Sequence, residues 1–310
     1  MTRPRSLLIT LSNIGDAVMT TPVLQVLHRA CPDDLIDIVA DRRSAAVFKH
    51  CPYLGDIYIK DKRAPLRGTW QLLRELRARR YRVAVDLRTG FLTRLLRVGR
   101  RLSSVQGRPA GMHAVQEHLG VVAGLPGEGA VPGTRIWLDD GERELARQLL
   151  GHRHGQRLLA LGPGANWLPK IWPARRYLAL VNRLAAKFDG LVLLGSEADA
   201  VHASVIAATA ELPCIDLCGR TSLRAAAAVL AEAAFFVGND SGLGHLASAV
   251  GTPTLTLFGV GDPARYTPWG ARAANVVQPV GRLDELDVET VLTAIHAHME
   301  CCQSAAGAPG

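Results

Sequence analysis

Ten short strand-like segments, most of them apolar, each followed by a longer amphipathic or polar stretch, set the tightest limit on what this chain can fold into. In the first half the runs are Leu7–Thr10, Leu35–Val39, Ile57–Ile59, Val83–Asp86 and Ser103–Gln106. In the second half they are Leu158–Leu161, Leu191–Leu194, Cys214–Asp216, Phe235–Val237 and Thr254–Phe258. Helical spacing occupies the intervals near 17–29, 43–50, 69–80, 90–98, 113–123, 173–187, 197–210, 221–233, 242–250 and 286–299. Strands apolar on both faces that alternate with helices predict α/β architecture, with parallel sheets covered on each side. The pattern runs twice, and a polar helix with a His/Gly/Arg-rich turn intervenes near Leu138–Gly155. Two domains are therefore expected, over 1–145 and 156–285, as suits a chain of 310 residues. In open α/β sheets ligands bind at the carboxyl ends of the strands, so the residues just after the runs are where chemistry is sought.

Charge separates the halves. Residues 1–139 hold 22 Lys+Arg against 12 Asp+Glu, whereas residues 140–310 hold 14 against 16. A basic first half fits an anionic partner, although each single Arg reads more simply as part of a solvated helix face. A nucleic-acid partner is disfavoured, because no binding motif with interleaved aromatics accompanies the arginines. No apolar stretch is long enough to span a membrane, and Arg3 and Arg5 before Ser6-Leu-Leu-Ile make too short a leader for secretion. A cytoplasmic location is expected. Six cysteines without paired CxxC or Cys/His zinc spacing read as free, mostly buried thiols.

Three segments after strands carry candidate chemistry. The first is Thr10-Leu-Ser-Asn-Ile-Gly-Asp16, where Ser12 and Asn13 form a turn and Gly15 lets the backbone bend. Asp16 reads equally as a helix N-cap or as a carboxylate able to take a proton. The segment is neither a GxGxxG loop nor a P-loop. The second is Gly162-Pro-Gly-Ala-Asn166 leading to Lys170-Ile-Trp-Pro173. Lys170 either snorkels off Trp167 and Trp172 or presents a cation to a phosphate. The third is Gly238-Asn-Asp-Ser-Gly-Leu-Gly-His245. Here a strand enters a helix whose first amides, over Asp240–Gly244, would favour an anion. His245 lies one turn in and either faces that anion or is structural.

Taken in order, these segments resemble glycosyltransferase family 9, the bacterial heptosyltransferases of the lipopolysaccharide inner core. Ser12-Asn-Ile-Gly-Asp16 with Thr21-Pro-Val-Leu24, Gly162-Pro-Gly-Ala-Asn166 with Lys170-Ile-Trp-Pro173, and Gly238–His245 with Gly259–Pro263 carry the resemblance. It implies a GT-B fold, in which two Rossmann-like domains face each other across a cleft. The first domain would take the acceptor and the second the nucleotide sugar, with a C-terminal helix near 286–300 packing back on the first. It implies an inverting transfer from ADP-heptose to an anionic glycolipid, at the cytoplasmic face of the inner membrane, with no cofactor and no metal. Asp16 matches the family's base. Lys170 would act in catalysis by stabilising the departing diphosphate, and with Gly164, Asn166, Asp240, Ser241, Gly242 and His245 it would bind the donor nucleotide and its phosphates. Asn13, Lys60, Lys62 and Arg63, with Arg67 nearby, are the acceptor candidates. One position departs: Thr221-Ser-Leu-Arg224 has Arg where the family commonly has a Glu that would hold the ribose. That leaves another nucleotide sugar, another acceptor, or a GT-B-like sugar-nucleotide epimerase as alternatives.

Overall fold

A computed structural model of the protein describes residues 3–60, 65–103, 111–127, 129–279 and 281–306. Contacts divide the chain into two compact units, Met1–Trp137 and Leu138–Gly310.

The first unit runs β1 (Arg5–Ile9), α1 (Ile14–Val18), α2 (Thr21–Ala30), β2 (Leu35–Ala40), β3 (Leu54–Ile59), α3 (Pro65–Arg77), β4 (Tyr81–Asp86), β5 (Val98–Ser103) and α4 (Ala114–Val122). Its strands form one parallel sheet in the order β3-β2-β1-β4-β5. Alternate strand residues face opposite sides. Leu7, Ile9, Val39 and Ala84 therefore pack with Leu72 and Leu76 of α3. The helix expected over 17–29 is broken. Pro22 has no amide hydrogen to continue α1, so a new helix starts at Thr21 with proline in its first turn. The hydroxyl of Thr20 spans the break, donating to the Ala17 carbonyl at 2.7 Å and pairing with Thr10 at 2.8 Å.

The second unit runs α5 (Asp140–Leu150), β6 (Leu158–Gly162), α6 (Ala174–Leu184), β7 (Gly190–Leu193), α7 (Ala200–Ala207), β8 (Cys214–Asp216), α8 (Leu223–Ala231), β9 (Phe235–Asn239), α9 (Gly242–Ala249), β10 (Thr254–Phe258), α10 (Pro263–Tyr266), β11 (Ala273–Val277) and α11 (Val288–Ala306). The parallel order is β11-β10-β9-β6-β7-β8. One core joins Leu159, Leu161, Leu191, Leu193, Phe235 and Val237 to the apolar faces of α6, α7 and α11. Each fully buried side chain of this kind contributes about 1.5–3 kcal/mol. Among the described residues α11 packs on α6 and β11, and α5 packs on α8.

Nine expected strands lie within a few residues of the observed ones. The fifth does not: β5 ends where Ser103–Gln106 was expected to begin, and residues 104–110 lie outside the described residues. Its sequence, Val-Gly-Arg-Arg-Leu-Ser, is an edge strand with exposed arginines, so it carries no apolar run. The additional strand β11, small-residued and at the other sheet's edge, escapes the apolar criterion for the same reason.

In each unit one central strand is flanked by its successor on one side and by a later strand on the other. That strand is β1 in the first unit, beside β2 and β4, and β6 in the second, beside β7 and β9. The connections after β1 and β4, and after β6 and β9, therefore leave in opposite directions and open a crevice at the carboxyl edge.

Candidate active site

In the first unit the crevice carries Asp16. Asn13, with extended φ −78° and ψ 154°, occupies the N-cap of α1 without capping it, and Asp16 stands in the first helical turn. Asp16 is thus not the N-cap. Its carboxylate instead accepts from the Asn13 side-chain amide at 2.9 Å and remains half-exposed. That hydrogen bond occupies one oxygen and fixes the carboxylate's orientation, leaving lone pairs for a proton.

Across the same crevice, the buried Asp86 carboxylate at the end of β4 accepts from the Arg88 and Thr89 amides at 3.0 and 2.7 Å and from the Thr89 hydroxyl at 2.5 Å. This turn presents Arg88, which is paired with Asp41 at 3.1 Å. Arg88 was missed in the sequence. A strand-ending Asp followed by Leu-Arg-Thr-Gly is the signal that marks it. Of the acceptor candidates, Lys60 follows β3 and donates its amide to the Ala40 carbonyl at 2.9 Å, while Arg67 is exposed on α3. Lys62 and Arg63 lie outside the described residues.

In the second unit the loops after β6 and β9 meet through Asn239, which is fully buried. Its carbonyl oxygen accepts from the Trp172 amide at 3.0 Å and the Tyr177 hydroxyl at 2.9 Å. Its amide donates to the Pro163 and Gly164 carbonyls at 2.9 and 3.3 Å. One side chain thereby ties both ends of the Pro163–Trp172 loop to β9. Trp172 does not lie under Lys170 as an exposed platform: it is fully buried against Tyr177, with its indole N–H on the Leu286 carbonyl at 2.8 Å. Trp167 is exposed. A short 3₁₀ turn over Leu168–Lys170 then directs the Lys170 ammonium onto the Asp240 carboxylate. This ion pair bridges the two loops at the switch between β6 and β9. An ammonium has three donors. Asp240 engages one, and Lys170 is still 24% exposed.

Asp240 does not contribute its backbone amide to the helix end as the sequence suggested. That amide extends the sheet, donating to the Leu257 carbonyl at 3.1 Å. The helix α9 begins at Gly242, with Ser241 as an N-cap whose hydroxyl makes no capping bond. The first amides of α9 therefore point out beside the Lys170–Asp240 pair, a combination suited to an anion. His245 is buried in the following turn and Asn166 is exposed in the loop. Gly164 serves packing: a Cβ there would lie 1.9 Å from the Asp199 carboxylate, itself held by the Ser196 amide and hydroxyl.

The departure at position 224 is resolved by its surroundings. Arg224 is neither exposed nor free for a nucleotide. It is buried and makes a two-pronged ion pair with Glu142 of α5, one prong at 2.7 Å. Burial alone would push the Glu142 carboxyl up; the Arg224 guanidinium and the Asp139 amide outweigh it and hold the group below the usual range.

Two doubly wound units, one with a half-exposed carboxylate at its crevice and one with a cation beside a helix N-terminus, define an α/β protein of two parallel-sheet domains. A model of glycosyltransferase family 9 (heptosyltransferase) matches residues 69–296, and the chain belongs to that family of glycosyltransferase enzymes. Lipopolysaccharide heptosyltransferase 3 of Escherichia coli is 27% identical over 292 residues, covering 85% of each chain. The crystal structure of the glycosyl transferase family 9 from Veillonella parvula DSM 2008 matches with a TM-score of 0.86 at 21% identity, over 97% of this chain and 99% of that one. E. coli heptosyltransferase WaaC with ADP matches with a TM-score of 0.78 at 22% identity, over 95% and 99%. The fold is the GT-B class of two Rossmann-like domains.

Proposed function

We propose that the protein is an inverting heptosyltransferase that moves heptose from ADP-heptose to a lipopolysaccharide core acceptor without a metal ion. The observation that carries this reading is the Lys170–Asp240 pair set beside the open end of α9 by Asn239. It supplies a cation and a row of amides where a diphosphate leaving group gains charge. Such preorganised donors act without reorganising during the reaction.

In this reading Asp16, oriented by Asn13, removes the proton from the acceptor hydroxyl. The acceptor oxygen bonds to the anomeric carbon as that carbon's bond to the β-phosphate oxygen breaks, and the electron pair leaves with ADP. Attack opposite the leaving group inverts the centre. Lys170 keeps one N–H on Asp240 and turns the others to the diphosphate, assisted by Gly242, the amides that follow it and Ser241. Asn13, Lys60, Lys62, Arg63 and Arg88 are the groups that meet the anionic acceptor. The face of α3 with exposed Trp70, Arg74 and Arg77 suits the surface of an anionic membrane. Among the described residues no helix is long and apolar enough to cross one.

The test is Asp16→Asn. It should abolish heptose transfer while leaving ADP affinity within about twofold; Lys170→Gln should lose about 10²-fold in kcat, as for one oxyanion donor. Turnover by Asp16→Asn would reject Asp16 as base. A panel of nucleotide sugars fixes the donor: at 100 times its Kd the true donor adds about 2.7 kcal/mol of stability. A larger thermal shift with a UDP or GDP sugar than with ADP-heptose would refute the donor assignment.

A further inference from the structure

The crevices at the carboxyl edges absorb the motifs, yet most of the first unit's arginine excess lies elsewhere. At the opposite, amino-terminal edge of its sheet is a depression of about 670 Å³ lined by Arg3, Arg5, Arg79, Arg80, Arg82 and Arg97. The topology gathers them. Arg5 opens β1, Arg79 and Arg80 link α3 to β4, Arg82 is the second residue of β4, and Arg97 immediately precedes β5. Strands β1, β4 and β5 are neighbours, so their starting residues converge.

A cluster of arginines is ordinarily a solvated face, with each cation answered by a nearby carboxylate. That account covers part of this one. Arg5 pairs with Asp37 and with Asp56 at 2.7 Å, Arg79 with Asp56 at 3.2 Å, and Arg82 with Asp34 at 3.4 Å. Arg3 donates to the Asp33 backbone carbonyl at 3.3 Å. Among the described residues Arg80 and Arg97 have no side-chain partner, and both are exposed. Six guanidiniums thus face three paired carboxylates, and the exposed Asp33 carboxylate still leaves an excess of positive charge. Like charges held in one concavity repel each other and stabilise the fold only when an anion joins them. A guanidinium's planar fork matches phosphate oxygens bidentately.

We propose that this pocket is a second anion site, remote from the crevice in its own domain, which takes a phosphate-bearing group through Arg80 and Arg97, with Arg3, Arg79 and Arg82 around it. The group is a pyrophosphate-type anion in solution or the phosphate of a lipid headgroup, and the two are separated by experiment. The proposal does not depend on the reading of the second domain.

Three proteins would be compared, all carrying Lys170→Gln to weaken phosphate binding near α9. They are this background alone, the background with Arg80→Gln and Arg97→Gln, and a charge-matched control with Arg143→Gln and Arg147→Gln on α5. Arg143 and Arg147 are exposed on the other unit, so the control removes equal charge from a different surface. Each is titrated calorimetrically with inorganic pyrophosphate, and sedimented with phosphatidylcholine vesicles with and without phosphatidylglycerol. A response of the background to pyrophosphate, weakened at least tenfold by Arg80→Gln/Arg97→Gln and not by the control, establishes the site with a soluble ligand. The same dependence seen only with phosphatidylglycerol vesicles establishes it with a headgroup. Absence of both responses, or equal loss in the control, overturns the proposal. In low salt without ligand, Arg80→Gln/Arg97→Gln should also match or exceed its background in thermal midpoint; a clear drop would assign these arginines to the fold instead.

Discussion

Replacing Asn239 by Asp changes one amide nitrogen to an oxygen at the most connected point of the second domain. The side chain is fully buried, with two donors on one side and two acceptors on the other. Aspartate keeps the bonds from the Trp172 amide and the Tyr177 hydroxyl. It loses both donations, so the Pro163 and Gly164 carbonyls face a carboxylate. Each lost bond costs about 1 kcal/mol net, and an uncompensated buried charge costs about 3–5 kcal/mol. Charge-assisted strengthening of the two remaining bonds offsets about 1 kcal/mol of this. The expected destabilisation at about pH 8 is therefore about 4–6 kcal/mol.

The penalty also carries a signature in pH. Burial raises the new carboxyl above its unfolded value of about 3.9, so over the interval between the two the unfolded state binds fewer protons than the folded one. Stability relative to the wild type is then lost as pH rises through that interval and regained as it falls. Near pH 5 the protonated acid can donate to one of the two carbonyls, and the deficit should shrink to about 1–2 kcal/mol. Urea unfolding of both proteins at the two pH values measures the difference. A deficit below about 1 kcal/mol at the higher pH, or one independent of pH, would refute the role given to Asn239.

Arg224→Met leaves the Glu142 charge buried without its partner and should destabilise the protein by about 3–5 kcal/mol, much of it recovered when Glu142→Leu is added. Calorimetric unfolding of the two variants checks this, and the donor KM should stay within about twofold because the guanidinium is committed to Glu142; a large KM change would return Arg224 to the nucleotide site. Gly164→Ala forces a Cβ onto Asp199 and should cost about 1–3 kcal/mol in stability by urea titration, with Asp199→Ala restoring part of it. Burial pushes the Cys214 and Cys218 thiols up to about 12, so only about one in 10⁴ is thiolate at pH 8. Iodoacetamide followed by peptide mass analysis should label the exposed Cys301 first, and early labelling of Cys214 or Cys218 would contradict this environment.

What the sequence reveals and conceals follows from how far apart partners lie. Central strands such as β6, β9 and β10 are legible because burial on both faces makes them continuous apolar runs; β5 and β11 at sheet edges are not, because one side is wet and the residues are polar or small. Lys170 stands out as a single cation in an apolar loop after a strand, and Asp16 as a carboxylate after a glycine turn, so local spacing suffices to nominate them. Asn239 has equally suggestive neighbours but reads as a turn former, since nothing local says that its partners are Pro163 and Gly164, 76 and 75 residues earlier. Arg224 inverts the problem. Set against a family motif it looks like a lost ligand, while its actual partner, Glu142, lies 82 residues away on a helix whose polar sequence gives no hint of burial. A charged residue out of place in a motif is therefore better tested first for a distant opposite charge, because a buried ion pair must be complete to be tolerated, whereas a surface cation need not be.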